Sequence, residues 1–159
     1  DASLRGWLRE PGSLTARLQR CGRFRLKLLR QRLHCANPDE EAILGLPSHA
    51  RCWVREVLLH CNDTPVIFAH TVLPTEPRGV LGRWFAGLGG RSLGSLLFAH
   101  PGFKRGQLSF ARIDRRHPLY ARAAAALGVS PPHFFARRCV HGFGAQRVLV
   151  TEVFATPLG

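Results

Sequence analysis

In QRVLVTEVFAT, residues 146 to 156, a carboxylate stands where a β-strand would place a hydrophobe: with alternating faces, Val148, Val150, Glu152 and Phe154 share one side. CWVREVLLHC, residues 52 to 61, repeats the oddity with opposite sign. Trp53, Arg55, Val57 and Leu59 fall on one face, and Glu56 lies on the other with Val54 and Leu58. A buried charge must be paired, hydrogen-bonded or neutralised. One solution is an internal Arg55–Glu152 salt bridge with no functional role. The other is a polar pocket in which Arg55 grips a ligand carboxylate bidentately and Glu152 meets a ligand hydroxyl. Periodicity alone does not choose between them.

Other reactive residue types carry weaker signals. GRSLG, Gly90 to Gly94, fits the G-x-S-x-G nucleophile pattern, but that motif needs a strand before the serine and a parallel sheet. Here a glycine-ended helix precedes Ser92, which suits a helix N-cap better. The free amides after it, starting at Leu93, could meet an anion, as could those after Ser13, starting at Leu14. His60, His70 and His141 lie on strands without ligand spacing and are expected to be structural. GLGGRS lacks the lysine of a phosphate-binding loop. Arg137 and Arg138 of FARRCVHGF point to opposite faces and are expected to be a solvated pair, an anion site being the other use. Cys21, Cys35, Cys52, Cys61 and Cys139 show no C-x-x-C spacing and are expected to be reduced thiols.

The elements that must position these residues follow from pattern. GRFRLKLLRQRL alternates basic and apolar residues as a half-buried strand does. CWVREVLLHC and PVIFAHTVLP flank Asn62 to Thr64 as a hairpin, and further strands run around GQLSFARI, FARRCVHGF and QRVLVTEVFAT, the last two joined across Gly144 and Ala145. Helices are expected at SLTARLQR, GVLGRWFAGLGG, SLGSLLF and HPLYARAAAALGV. The fold class expected is α+β: a six-stranded antiparallel sheet with inserted helices covering part of it.

At 159 residues the chain suits one domain, residues 1–159, with one core. Its 45% apolar and 21% charged residues are those of a folded soluble protein, and no run is long enough to span a membrane. The chain opens on Asp1 rather than Met, which suits a start inside a longer sequence, and shows no signal-peptide core; a cytoplasmic location is the expectation. The net charge of +13 points to an anionic partner. A nucleic-acid binder would interleave exposed aromatics with its arginines, whereas Phe and Trp here sit at core spacings, so no nucleic-acid partner is expected.

GSLTARL, WVREVLL, TVLP, GGRSLGSLLF, FARR and VLVTEVF, in that order along nearly the whole chain, together resemble the chorismate pyruvate-lyase family. The resemblance implies a six-stranded antiparallel sheet with a ligand enclosed beneath helical flaps. It implies conversion of chorismate to 4-hydroxybenzoate and pyruvate for ubiquinone synthesis, without metal or organic cofactor. Carried over by motif, it places the ligand carboxylate on Arg55, the ligand hydroxyl on Glu152 and backbone contacts on Leu14 and Leu93. Arg55 and Glu152 are then the catalytic pair, and all four residues bind substrate. A monomer without stable membrane insertion is the expected form. The segment between the fourth and fifth strands, 112–135, is longer than the connection in compact members. The alternative is a non-catalytic sensing domain, because effector-binding domains of some bacterial regulators are similar to this fold; no helix-turn-helix pattern precedes the first strand to support it.

Overall fold

The structure, a computed structural model, describes residues 2–75 and 80–155. In chain order it begins with helices α1 (Ala2–Leu8) and α2 (Leu14–Cys21), strand β1 (Phe24–Cys35) and helix α3 (Pro38–Leu44). Strands β2 (Arg51–Cys61) and β3 (Thr64–Pro74) follow, then helices α4 (Val80–Gly87) and α5 (Leu93–Ala99). The chain continues through β4 (Phe103–Arg105), β5 (Ser109–Ile113), α6 (Tyr120–Leu127), β6 (Phe134–Phe143) and β7 (Gln146–Phe154). The expected end of the last strand, Thr156, lies outside the described residues. Among those described, no helix is long and apolar enough to cross a membrane.

Every strand pairing is antiparallel, in the order β1-β2-β3-β7-β6-β4, with β5 also on β6. Among the described residues the sheet has seven strands and not six. The additional strand comes from a break in the edge beside β6: Arg105 pairs with His141, and the register has slipped by one residue where Ser109 pairs with Arg138. Gly106 sits at the break, donating its N–H to the Val140 carbonyl at 3.0 Å; a Cβ there would stand 2.2 Å from that oxygen. A three-residue strand is too short for periodicity to reveal. The β2–β3 hairpin closes on Asn62 and Asp63 at φ 50° and 65°, a left-handed conformation that these residue types tolerate.

The four expected helices form, and two others join them. α1 buries Leu4 and Trp7 in the apolar cluster that includes Leu14, Leu18, Val57 and Leu59. α3 starts at Pro38, is closed at its N-terminus by Glu40 accepting from the Asn37 N–H at 2.9 Å, and ends at Gly45 with φ 65°. Helices cover both faces of the sheet. α1, α2, α4 and α5 lie over the face of Arg55 and Glu152. α3 packs on the other face through Leu44, and α6 through Leu119, Tyr120, Ala123 and Leu127. The long 112–135 segment is thus the source of α6, which covers the back of the sheet.

The back face also encloses a charge cluster. Glu40 and Glu56 are both 0% exposed, with His70 between them: its Nδ1 is 2.9 Å from Glu56 and its Nε2 is 2.8 Å from Glu40. Arg30 approaches Glu56 to 2.7 Å, and Arg122 pairs with the same carboxylate. Burial opposes the charge on Glu56, yet hydrogen bonds from His70 and Arg122 and the nearby cations prevail and hold it at about 2, below its ordinary 4.5. Burial also opposes the charge on His70, but Glu40 and Glu56 raise its pKa above the ordinary 6.5. The Glu56 contribution to stability is therefore present above pH 4.5 and lost as pH falls toward 2; the His70 contribution is present below pH 6.5 and lost as pH rises through its raised pKa. Urea unfolding across pH should accordingly show stability falling on both sides, with Glu56→Gln flattening the acid limb. An unchanged acid limb in that variant would remove Glu56 as its cause.

Candidate active site

Register brings the two anomalous charges to one face. One cross-sheet row runs Gln31, Arg55, Thr71, Val150 and Cys139; the next runs Val57, Ala69, Glu152 and Arg137. Arg55 and Glu152 thus share a face, with strand β3 between them, and do not pair with each other. Arg137 Nε meets Glu152 Oε2 at 2.5 Å. Arg55, 1% exposed, donates to Gln31 Oε1 at 2.7 Å and to the Arg91 carbonyl at 2.8 Å. Both partners are neutral, and burial lowers the Arg55 pKa. Of the two arrangements consistent with the sequence, the internal Arg55–Glu152 bridge does not form. What forms is a buried cation without an anionic partner among the described residues, beside a cavity.

Leu14, Arg55, Leu93 and Glu152 all line that cavity. Its roof is made by the starts of α2 and α5. Ser13 caps α2, its Oγ accepting from the Ala16 N–H at 3.4 Å, and Ser92 caps α5, its Oγ accepting from the Ser95 N–H at 3.3 Å. Thr15 Oγ1 lies 2.9 Å from Ser92 Oγ, tying the two helix starts together. Leu14 and Leu93 are the first helical residues, where amides have no intrahelical acceptor. The bond from Arg55 to the Arg91 carbonyl fixes the loop just before Ser92. Val57, Leu59, Ala69, Leu97, Phe98 and Val150 supply apolar walls.

Arg137 is not the solvated residue expected from its pairing with Arg138 in sequence. It is 3% exposed, and besides Glu152 it holds the carbonyls of Leu8 and Glu10 at 3.3 and 2.9 Å. The signal was present: a two-residue turn at Gly144 and Ala145 pairs Phe143 with Gln146, and counting back places Arg137 opposite Glu152. Arg138, on the other face, is also no free surface charge; it bonds Thr151 at 2.9 Å and Asp39 at 2.8 Å. Gln31, Arg105, Cys139 and His141 were missed as site residues. Burial, reinforced by the charges of Arg105 and Arg137, pushes His141 down to about 4. Burial pushes the Cys139 thiol up. Both are therefore uncharged near neutrality. All five cysteines are free, and among the described residues no group of His, Cys, Asp and Glu is placed to hold a metal ion.

The cavity thus combines a buried cation and two helix starts with a carboxylate and apolar walls, a lining suited to a small anion with an apolar body. Solved structures share the fold. The C-terminal domain of the histidine utilization repressor from Pseudomonas syringae pv. tomato superposes with TM-score 0.66 at 14% identity, over 84% of this chain and 92% of that one. The effector domain of PhnF from Mycobacterium smegmatis gives TM-score 0.62 at 19% identity, over 92% and 90%. Sequence relatives are far nearer. A probable chorismate pyruvate-lyase of Dechloromonas aromatica is 58% identical over 97% of this chain and 87% of its own length. One from Aromatoleum aromaticum is 46% identical over 96% and 84%. Residues 1–158 match the family described as chorismate lyase, and the chain belongs to that family.

Proposed function

We propose that the protein is a chorismate pyruvate-lyase whose catalytic pair is Arg55 and Glu152. The observation that carries this reading is the buried Arg55 guanidinium, facing a cavity with only neutral partners among the described residues, while Glu152 is held by a different arginine. In this reading Arg55 and the amides of Leu14 and Leu93 fix the ring carboxylate of chorismate. Glu152 meets the ring hydroxyl through Oε1, because Arg137 occupies Oε2. The ether C–O bond to the enolpyruvyl group then breaks and the hydrogen on the hydroxyl-bearing carbon leaves. The ring becomes 4-hydroxybenzoate and the enolpyruvyl group becomes pyruvate. Aromatisation drives the step, so the protein supplies geometry and electrostatics, which the apolar walls strengthen by excluding water. The hydrogen ends on the enolpyruvyl methylene, which becomes the pyruvate methyl, either by direct transfer or by way of Glu152, which takes the proton from the ring carbon and returns it to the methylene. The product would serve ubiquinone synthesis, made in the cytoplasm by a single chain acting on a small molecule and not on nucleic acid.

A sensing domain remains the rival, because regulator effector domains share the fold. Mixing the protein with chorismate and following 4-hydroxybenzoate by absorbance separates the two. We expect turnover with equimolar pyruvate, and a pre-steady-state burst, since a closed pocket for an aromatic acid retains its product. Tight chorismate binding without product would overturn the lyase reading in favour of sensing. Turnover without a burst would refute slow release alone.

A further inference from the structure

Chorismate carries two carboxylates, and Arg55 with the helix amides accounts for one of them. Resting on the lyase reading above, we propose that Arg105 binds the second, the carboxylate of the enolpyruvyl arm, and so selects the substrate over its aromatic product.

Three arginines line the cavity: Arg55, Arg105 and Arg137. Arg137 is committed to Glu152 and to the Leu8 and Glu10 carbonyls. Arg105 is the least satisfied of the three. Its two terminal nitrogens reach the Gly12 and Glu10 carbonyls only at 3.4 and 3.3 Å, its buried Nε meets no oxygen or nitrogen acceptor among the described residues, and a further neighbour of the guanidinium is the weakly accepting Cys139 thiol. A guanidinium has five donors in a planar fork, so this one has capacity for a carboxylate. Phe98, also a wall residue, lies 5.4 Å from the guanidinium carbon and helps fix its plane.

Charge balance agrees. Three guanidinium groups against the Glu152 carboxylate leave the cavity two positive charges in excess, because His141 and Cys139 are uncharged near neutrality. That excess matches a dianion, whereas 4-hydroxybenzoate brings one negative charge. Topology places Arg105 suitably. Arg55 stands on β2, Glu152 on β7, and Arg105 on β4 beyond β6, paired with His141. In a ring spanning from Arg55 to Glu152, the ether carbon adjoins the hydroxyl-bearing carbon and so lies at the Glu152 end, the end nearer β6 and β4.

The test compares two stable ligands by calorimetry: 4-hydroxybenzoate, and 3-(carboxymethoxy)-4-hydroxybenzoate, which adds a carboxylate at the ether position. Arg105→Ala and Arg105→Gln should each weaken the dicarboxylate about tenfold or more, the loss of a charge-assisted pair, and leave 4-hydroxybenzoate within about twofold. The monocarboxylate also checks that the Gly12 loop still presents Leu14. Equal losses for both ligands, or none for either, would overturn the proposal and leave Arg105 a structural residue. Should wild type bind both ligands yet fail to turn over chorismate, the lyase reading fails while the two-ligand comparison still decides the subsite.

Discussion

Arg55→Ala should weaken 4-hydroxybenzoate binding by about 10- to 150-fold and lower kcat/KM for chorismate at least as much, from the roughly 1.5 to 3 kcal/mol of a charged hydrogen bond. The loss has two sources. The ligand carboxylate loses its cation, and the loop before Ser92 loses the bond to the Arg91 carbonyl that positions the Leu93 amide. Arg55→Lys should rescue little, because a point charge cannot reach Gln31, Arg91 and a carboxylate together as a planar fork does. Calorimetric titration with 4-hydroxybenzoate and steady-state kinetics measure both effects. Near wild-type turnover in Arg55→Ala would remove this residue from the site.

Glu56→Ala should act on stability and leave the pocket alone. Glu56 neighbours Arg55 in sequence but faces the back of the sheet, where it is enclosed with His70, Arg30 and Arg122. Removing one partner of a buried ionic cluster costs about 3 to 5 kcal/mol, or about 6 to 20 °C in Tm for a chain of this size. Arg122 is 43% exposed and can turn to water, and His70 keeps Glu40, so the lower part of that range is expected. Calorimetric unfolding gives the shift. Ligand binding by the folded fraction should stay within about twofold. A lost pocket with unchanged Tm would contradict this division of the two faces.

Arg55 and Glu152 were legible because period-two alternation exposes any charge in an apolar row, and Leu14 and Leu93 because serine caps mark helix starts. What the sequence left open was who pairs with whom. Gln31 and the Arg91 carbonyl satisfy Arg55, and a backbone carbonyl has no signature in sequence. Arg137 looked solvated because adjacent arginines usually are, although hairpin register pointed to Glu152. Arg105 was hidden in a three-residue strand whose existence depends on the close approach of Gly106 to Val140. α1 escaped notice because it is short, and α3 because its signals, Pro38 and Gly45, bracket only seven residues.

In the proposed binding mode Arg55 and Glu152 are held apart to receive the two ends of one aromatic acid. A crystal structure with 4-hydroxybenzoate tests it most directly. The carboxylate is expected within hydrogen-bonding distance of Arg55 and the Leu14 and Leu93 amides, and the phenolic oxygen against Glu152. A ligand bound elsewhere, or reversed so that its carboxylate faces Glu152, would contradict it.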